Sequence, residues 1–142
     1  MNKAAIVTQY VKMWPREVFD LREGNKLHVG VQRLLKDPGV YILYRDDKPY
    51  YIGKTAGPLF NRIWAHANRP GDPYYNFWNF FSVFVVPESR HIREVESILI
   101  ASTPTSNKAT PKMMRLNLPN AIARLIRRKI IPVGSDIVAD VE

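Results

Sequence analysis

The stretch that decides the fold is residues 39–55, which read GVYILYRDDKPYYIGKT. Both ends are rich in β-branched and aromatic residues, and the DDKP between them is typical of a tight turn, so the stretch predicts a β-hairpin. Because side chains alternate along a strand, Tyr41 and Leu43 are expected to share one face. Gly53 ends the second strand, at a place where a backbone or a ligand can approach closely. A sheet built on this hairpin is the expected centre of the fold.

The segments on either side of the hairpin predict helices and one further strand. Residues 1–37 are expected to be helical in pieces, most clearly over 26–35. Periodicity and Pro or Gly punctuation after the hairpin predict a helix over 58–67, a buried strand that ends at Pro87, a helix over 88–101, and a basic helix from near Pro119. This order predicts an α/β (α+β) fold with a small three-stranded, mainly antiparallel sheet flanked by helices.

Composition limits the class of protein. The chain has 142 residues, of which 46% are hydrophobic, and its net charge is +8, values that fit one basic globular domain and exclude disorder over the whole length. The absence of Cys excludes disulfides, thiolate zinc sites and cysteine nucleophiles. Without an apolar run of roughly 20 residues, a cytoplasmic protein is expected. We expect one globular unit, with a helical extension over 1–37, a core over 38–108 and a basic helical extension over 109–142.

Much of the positive charge is concentrated in residues 97–135, which contain no Asp or Glu. The basic residues of this segment are Lys108, Lys112, Arg115, Arg124, Arg127, Arg128 and Lys129. A clustered basic surface suits a polyanion such as nucleic acid or an anionic membrane, and a solvated helix face explains it equally well. Membrane binding ranks last because neither end carries a lipidation motif.

Glu96 is the most informative residue of the helix predicted over 88–101. At 3.6 residues per turn it falls inside the apolar stripe, between Ile92 and Ile100. A carboxylate directed at a core costs several kcal/mol unless it is paired, hydrogen-bonded or bound to a metal. Two interpretations stay open, a structural ion pair with Arg62 or a Lys, and a functional site. One carboxylate is compatible with a single, largely hydrated Mg²⁺.

The helix predicted over 58–67 offers a second pair of polar side chains. Arg62 and His66 are four residues apart and therefore project side by side. A guanidinium suits a phosphate, and an imidazole can move protons near neutral pH, although a lone His on a helix edge more often has no such role. In the aromatic stretch that follows, we expect Phe80, Phe81 and Phe84 to be core. Two roles stay open for Tyr74, Tyr75 and Trp78: packing in the core and stacking on nucleic-acid bases.

Taken in order, these motifs resemble the GIY-YIG nuclease family. The matching residues are Gly39-Val40-Tyr41, Tyr51-Ile52-Gly53-Lys54-Thr55, Leu59, Arg62, His66, Glu96 and the segment from Pro104 to Asn107. They span about half of the chain, and their order is more specific than any single motif. Two departures are a valine at position 40, where isoleucine is usual, and a slightly compact segment before Asn107.

The resemblance implies a GIY-YIG-like fold and a metal-dependent endonuclease that hydrolyses phosphodiester bonds of DNA. It implies that Tyr41 is the general base for the attacking water and that Tyr51 lines the site and orients that water. Arg62 would contact the scissile phosphate, and Glu96 would hold a single Mg²⁺ or Mn²⁺ ion. Asn107 would steady the site.

His66 matches a histidine found in some branches of the family, where it would accept a proton from Tyr41, a task that Lys54 also suits. The neighbouring cations and His66 are expected to lower the pKa of Tyr41. Phosphate contacts to DNA are expected from Lys54, Lys108, Lys112, Arg115, Arg124, Arg127 and Arg128. RNA is a less favoured substrate, and the chain is expected to be a monomer or a homodimer.

A second hypothesis is that the chain is a nucleic-acid-binding module, which keeps the fold but has lost catalytic turnover. The joint presence of Tyr41, Tyr51, Arg62, Glu96 and Asn107 favours the enzyme, because a pure binder has no need of a glutamate in a buried stripe. A purely structural or protein-interaction domain fits the basic surface poorly.

Overall fold

The computed structural model describes residues 5–20, 24–75, 77–105, 107, 111 and 113–129. Its elements are β1 (Gln9–Pro15), a 3-10 turn (Arg16–Phe19), α1 (Gly24–Leu34), β2 (Gly39–Arg45), β3 (Lys48–Thr55), α2 (Leu59–Asn68), β4 (Phe80–Val85), α3 (Ser89–Ser102) and α4 (Asn120–Lys129). The fold is therefore α+β. Two compact units divide the chain, Met1–Lys112 with the sheet and Met113–Glu142 with α4. No helix in the described ranges is both long and apolar enough to span a bilayer.

The sheet has four antiparallel strands in the order β1-β4-β2-β3, where three were expected. The additional strand is β1, which lies in the segment predicted to be helical and pairs with β4. Its pairing with β4 shifts register between Val11 and Trp14, and Met13 adopts a φ of 54°. This irregularity breaks the alternation of polar and apolar residues that identifies a strand in a sequence. The N-terminal extension thus contributes a strand as well as a helix.

The two faces of the sheet are covered by different helices. Tyr41 and Leu43 of β2 lie in the core on the α2 side, and Val40 and Ile42 lie in a second core that includes Ile92 of α3. The alternation predicted from the hairpin is therefore confirmed. Strand β3 is an edge strand of the described sheet, so one row of its backbone groups has no strand partner within the described residues.

A bulge in β3 sets the direction of two tyrosines. Leu43 pairs with Tyr51 and Tyr44 pairs with Pro49, which leaves Tyr50 as an extra residue between them. An extra residue interrupts strict alternation and bends the strand. As a result, Tyr50 and Tyr51 both contact Tyr74, with ring centroids 6.1 Å and 4.2 Å away.

Candidate active site

Tyr41 is the centre of the candidate site, and Gly53 provides the space for it. The two residues are direct partners across β2 and β3, and a Cβ at position 53 would overlap the phenol ring and hydroxyl of Tyr41. The Tyr41 side chain is fully buried. Its hydroxyl lies 2.8 Å from Nε2 of His66, and the positive charge of Arg62 acts on the same phenol and lowers its pKa. Helix α2 therefore brings both members of the predicted Arg and His pair to Tyr41.

Asp72 is a residue of this cluster that the sequence reasoning missed. Nδ1 of His66 lies 2.9 Å from Oδ1 and 2.8 Å from Oδ2 of Asp72. The backbone N–H of Tyr74 donates to the same Oδ1 at 2.8 Å, and the N–H of Asp72 donates to the carbonyl of Arg69. An Asp in the turn sequence RPGDP is already explained by turn chemistry, so nothing in the sequence linked it to His66.

Burial decides the protonation of Tyr41 and His66. It is the largest cause that raises the pKa of Tyr41 above its usual value, and the positive charge of Arg62 acts in the opposite direction. The expected lowering of the Tyr41 pKa is therefore wrong, because the ring is removed from water more completely than the cation compensates. Burial also lowers the pKa of His66, against the effect of Asp72. At neutral pH the phenol is protonated and the imidazole is neutral.

These protonation states fix the direction of each hydrogen bond. A carboxylate only accepts hydrogen bonds, so the imidazole proton is assigned to Nδ1, which donates to Asp72. Nε2 of His66 is then an acceptor, and the Tyr41 hydroxyl donates to it. Arg62, an exposed residue of α2, acts on the Tyr41 oxygen through its positive charge. The cluster is thus a directed series of hydrogen bonds from Tyr41 through His66 to Asp72.

Tyr51, in the edge strand β3, lies beside these hydrogen-bonded residues. Its half-buried ring stacks on Tyr74 at 4.2 Å and is 6.3 Å from the Tyr41 ring. Burial raises the pKa of Tyr51, the charge of Arg62 lowers it, and the charge of Glu96 raises it. Charges on both sides therefore act on Tyr51: Arg62, beside the hydrogen-bond relay of Tyr41, His66 and Asp72, and Glu96 of α3.

The structure also separates the aromatic residues left open by the sequence. Trp78 is core, at 1% exposure, and Tyr74 is a ring of the candidate site. Tyr75 is exposed. Phe81 is fully buried, and Phe80 and Phe84 are partly buried.

Glu96 is paired with Lys54. Its side chain is 12% exposed, and Oε1 lies 2.9 Å from Nζ of Lys54, whose side chain is 45% exposed. Of the interpretations left open by the sequence, the ion pair between Glu96 and a lysine is present. Lys54 follows Gly53 in β3, and successive side chains of a strand point to opposite faces of the sheet. Lys54 therefore projects to the α3 side, away from Tyr41. The structure places Lys54 with Glu96 and not with the tyrosine that it was expected to serve.

The donor set for a metal ion is small. The described part of the chain contains no group of three or more His, Asp or Glu side chains that could hold an ion, so Glu96 would supply a single carboxylate. A largely hydrated Mg²⁺ fits such a donor, whereas a zinc site needs three or four ligands. The ammonium of Lys54 occupies one carboxylate oxygen and competes with any cation there.

Asn107 acts on the backbone of the edge strand. Its Oδ1 accepts from the N–H of Ile52 at 2.8 Å, and its Nδ2 donates to the carbonyl of Ile52 at 2.7 Å. Both backbone groups would otherwise face away from the sheet without a strand partner. Asn107 thus fastens the segment after α3 to β3.

The basic residues other than Lys54 that are predicted to hold DNA are outside the described residues or belong to the second unit. Lys108 and Lys112 lie outside the described residues. Arg115 and Arg124 are exposed in the second unit, and the backbone of Arg127 and Arg128 continues α4. Their contact with DNA stays a prediction.

Comparison of the chain with models of protein families, with curated proteins and with solved structures found no match in any of the three.

Proposed function

We propose that this chain is a metal-dependent endonuclease of the GIY-YIG type that hydrolyses phosphodiester bonds of DNA. The observation that carries the proposal is the hydrogen bond of the Tyr41 hydroxyl to His66, with the positive charge of Arg62 acting on the same tyrosine. A phosphate-binding cation and a proton acceptor beside one oxygen are the parts that an attack by water on phosphorus requires. The resemblance of the motifs supports the same reaction.

Arg62 is the phosphate ligand in this proposal. It is an exposed residue of α2, and its positive charge acts on Tyr41. A guanidinium has five N–H donors, which can bind the non-bridging oxygens of a phosphate. That phosphate would lie beside the Tyr41 oxygen, and the positive charge would stabilise the negative charge that develops in the transition state.

Tyr41 moves the proton of the attacking water without first becoming a phenolate. As the water oxygen bonds to phosphorus, its proton passes to the Tyr41 oxygen, and the hydroxyl proton of Tyr41 passes to Nε2 of His66. The P–O bond on the opposite side breaks, and the departing oxygen takes a proton from solvent. A raised pKa of Tyr41 suits this exchange, because the phenol is neutral before and after it. The imidazolium that forms is paired with Asp72.

Glu96 of α3, on the side of the sheet to which Lys54 projects, is the residue that would hold the metal ion. When bound, Mg²⁺ or Mn²⁺ supplies positive charge to the oxygens of the reacting phosphate. Lys54 must then release the Glu96 carboxylate, and its freed ammonium becomes a phosphate contact.

A second function, DNA binding without cleavage, is favoured by one observation. In the structure Lys54 neutralises Glu96 at 2.9 Å, which is the arrangement that a purely structural ion pair would also have. Binding alone would need the basic surface and not the buried relay from Tyr41 to Asp72.

Cleavage assays on single-stranded, duplex and branched DNA with Mg²⁺ or Mn²⁺ test the proposal. Tyr41→Phe, Arg62→Ala and Glu96→Ala are each expected to slow cleavage about 100-fold or more. Glu94→Ala, an exposed glutamate of the same helix, is the matched control and should cut like the wild type. A wild-type chain that binds DNA but cuts none of these substrates would establish the second function instead. Unimpaired cutting by Tyr41→Phe would refute the proposed mechanism.

A further inference from the structure

The imidazole of His66 has two nitrogens with different partners, Tyr41 on Nε2 and Asp72 on Nδ1. We infer that Asp72 is a positioning residue, which sets the tautomer of His66 and so allows the Tyr41 proton to move toward Nε2. The inference rests on the proposed function, and it adds a residue that the sequence motifs do not contain. Asp72 touches no reacting atom and acts through His66.

The geometry excludes the opposite tautomer. Both carboxylate oxygens of Asp72 lie within 2.9 Å of Nδ1, and an unprotonated Nδ1 would direct its lone pair at two anionic acceptors. With the proton on Nδ1, Nε2 accepts from the Tyr41 hydroxyl at 2.8 Å. If the proton were on Nε2 instead, His66 would donate to the Tyr41 oxygen and would no longer accept its proton.

A role limited to the turn does not account for the contact. The backbone N–H of Tyr74 donates to Oδ1 of Asp72 at 2.8 Å, which is the usual side-chain contact of an Asx turn. That contact needs one oxygen. The second oxygen lies 2.8 Å from His66, and the carboxylate is only 15% exposed. Its position against a buried imidazole points to orientation of the ring in addition to closure of the turn.

The same turn connects the relay to the rings that line the site. Asp72 holds the backbone of Tyr74, whose ring stacks on Tyr51 and lies 5.4 Å from the His66 ring. Hydrogen bonds that orient a functional imidazole fix both its rotation and its tautomer. Asp72 therefore fixes His66 from one side while Tyr74 packs against it from another.

Asp72→Asn is the decisive variant because it keeps the shape of the side chain. The amide oxygen can still accept from the Tyr74 N–H, and the amide nitrogen then faces Nδ1 of His66 as a donor. We expect the proton of His66 to move to Nε2, observed as an exchange of the ¹⁵N chemical shifts of the two ring nitrogens in the histidine-labelled full chain. We expect kcat for DNA cleavage to fall about 100-fold or more with KM changed less than about twofold.

Asp47→Asn, at an exposed turn position of the hairpin, is the matched control and should leave both the spectrum and kcat unchanged. If circular dichroism shows that Asp72→Asn does not fold, Asp72→Ser replaces it, because a hydroxyl can accept from the Tyr74 N–H but leaves Nδ1 without a carboxylate. The same fall in kcat is expected for this variant.

Two results would overturn the inference. One is a His66 that keeps its proton on Nδ1 in Asp72→Asn, and the other is a changed tautomer with an unchanged kcat. Failure of the proposed function is distinguishable from both, because the wild type itself would then cut no DNA. The ¹⁵N spectra decide the tautomer in that case as well.

Discussion

Replacement of Gly53 by alanine tests whether the candidate site depends on a single missing side chain. A Cβ at this position would lie 2.7 Å from Cε2 of Tyr41 and would overlap its hydroxyl. Non-bonded carbon atoms prefer about 3.5–4.0 Å, so the Tyr41 ring or the edge strand β3 must move by about 1 Å. Movement of the ring lengthens the 2.8 Å hydrogen bond to His66.

The expected cost follows from that displacement. Overpacking a filled site costs about 1–3 kcal/mol, and a misplacement of about 1 Å at a reacting group costs about 100-fold in rate. We therefore expect Gly53→Ala to lower the free energy of unfolding by about 1–3 kcal/mol, measured by urea denaturation, and to cut DNA about 100-fold more slowly.

Gly57→Ala is the matched control, because the nearest atom to its added Cβ is Oγ1 of Thr55 at 3.8 Å, an ordinary contact. Its stability and cleavage rate should stay close to those of the wild type. Equal unfolding free energies for the two alanine variants would refute the packing argument. A destabilised Gly53→Ala with a normal cleavage rate would instead refute the dependence of the reaction on the position of Tyr41.

Three further predictions concern the edge strand, the imidazole and the metal. Asn107→Ala should accelerate hydrogen exchange of the Ile52 amide, which loses its acceptor at 2.8 Å, and exchange at Leu43 in the central strand β2 should not change. Because burial lowers the pKa of His66 below its usual value of 6.5, the unfolded chain binds this proton more tightly, so the free energy of unfolding should decrease as pH falls below about 6.5. Tyr41, Tyr51, Arg62 and Asp72 face this imidazole, and His66→Gln should remove its contribution to that slope. Lys54→Gln frees the Glu96 carboxylate and should lower the Mn²⁺ concentration at half-maximal cleavage, whereas an unchanged value would show that Lys54 does not compete with the metal.

Local patterns in the sequence were sufficient to predict the hairpin and the face of the sheet on which its side chains lie. Alternation placed Tyr41 and Leu43 on one face, and helical spacing placed Arg62 beside His66, because both patterns depend only on the period of one element. Strand β1 was missed because its bulge at Met13 breaks that period.

The remaining features depend on contacts between elements. Asp72 reaches His66 through a turn whose sequence is explained without it. The direction in which the pKa of Tyr41 shifts depends on how completely its ring is buried, and the spacing of residues in the sequence does not predict that burial. The sequence also left Arg62 or a lysine as the partner of Glu96, and the choice of Lys54 follows from the position of β3 beside α3.

The edge position of β3 matters for the proposed reaction, because the two groups that it would use lie on opposite faces of the sheet. The relay of Tyr41 and His66 lies on the α2 side, and Glu96 belongs to the helix that covers the other side. In an interior strand these groups would be separated by neighbouring backbone, but among the residues that the structure describes no further strand lies beyond β3. The charges of both Arg62 and Glu96 act on the pKa of Tyr51, so we propose this edge as the place where the substrate phosphate would bind. An exposed edge also invites pairing with another chain. Asn107 occupies both backbone groups of Ile52, which keeps that part of the edge closed to a further strand.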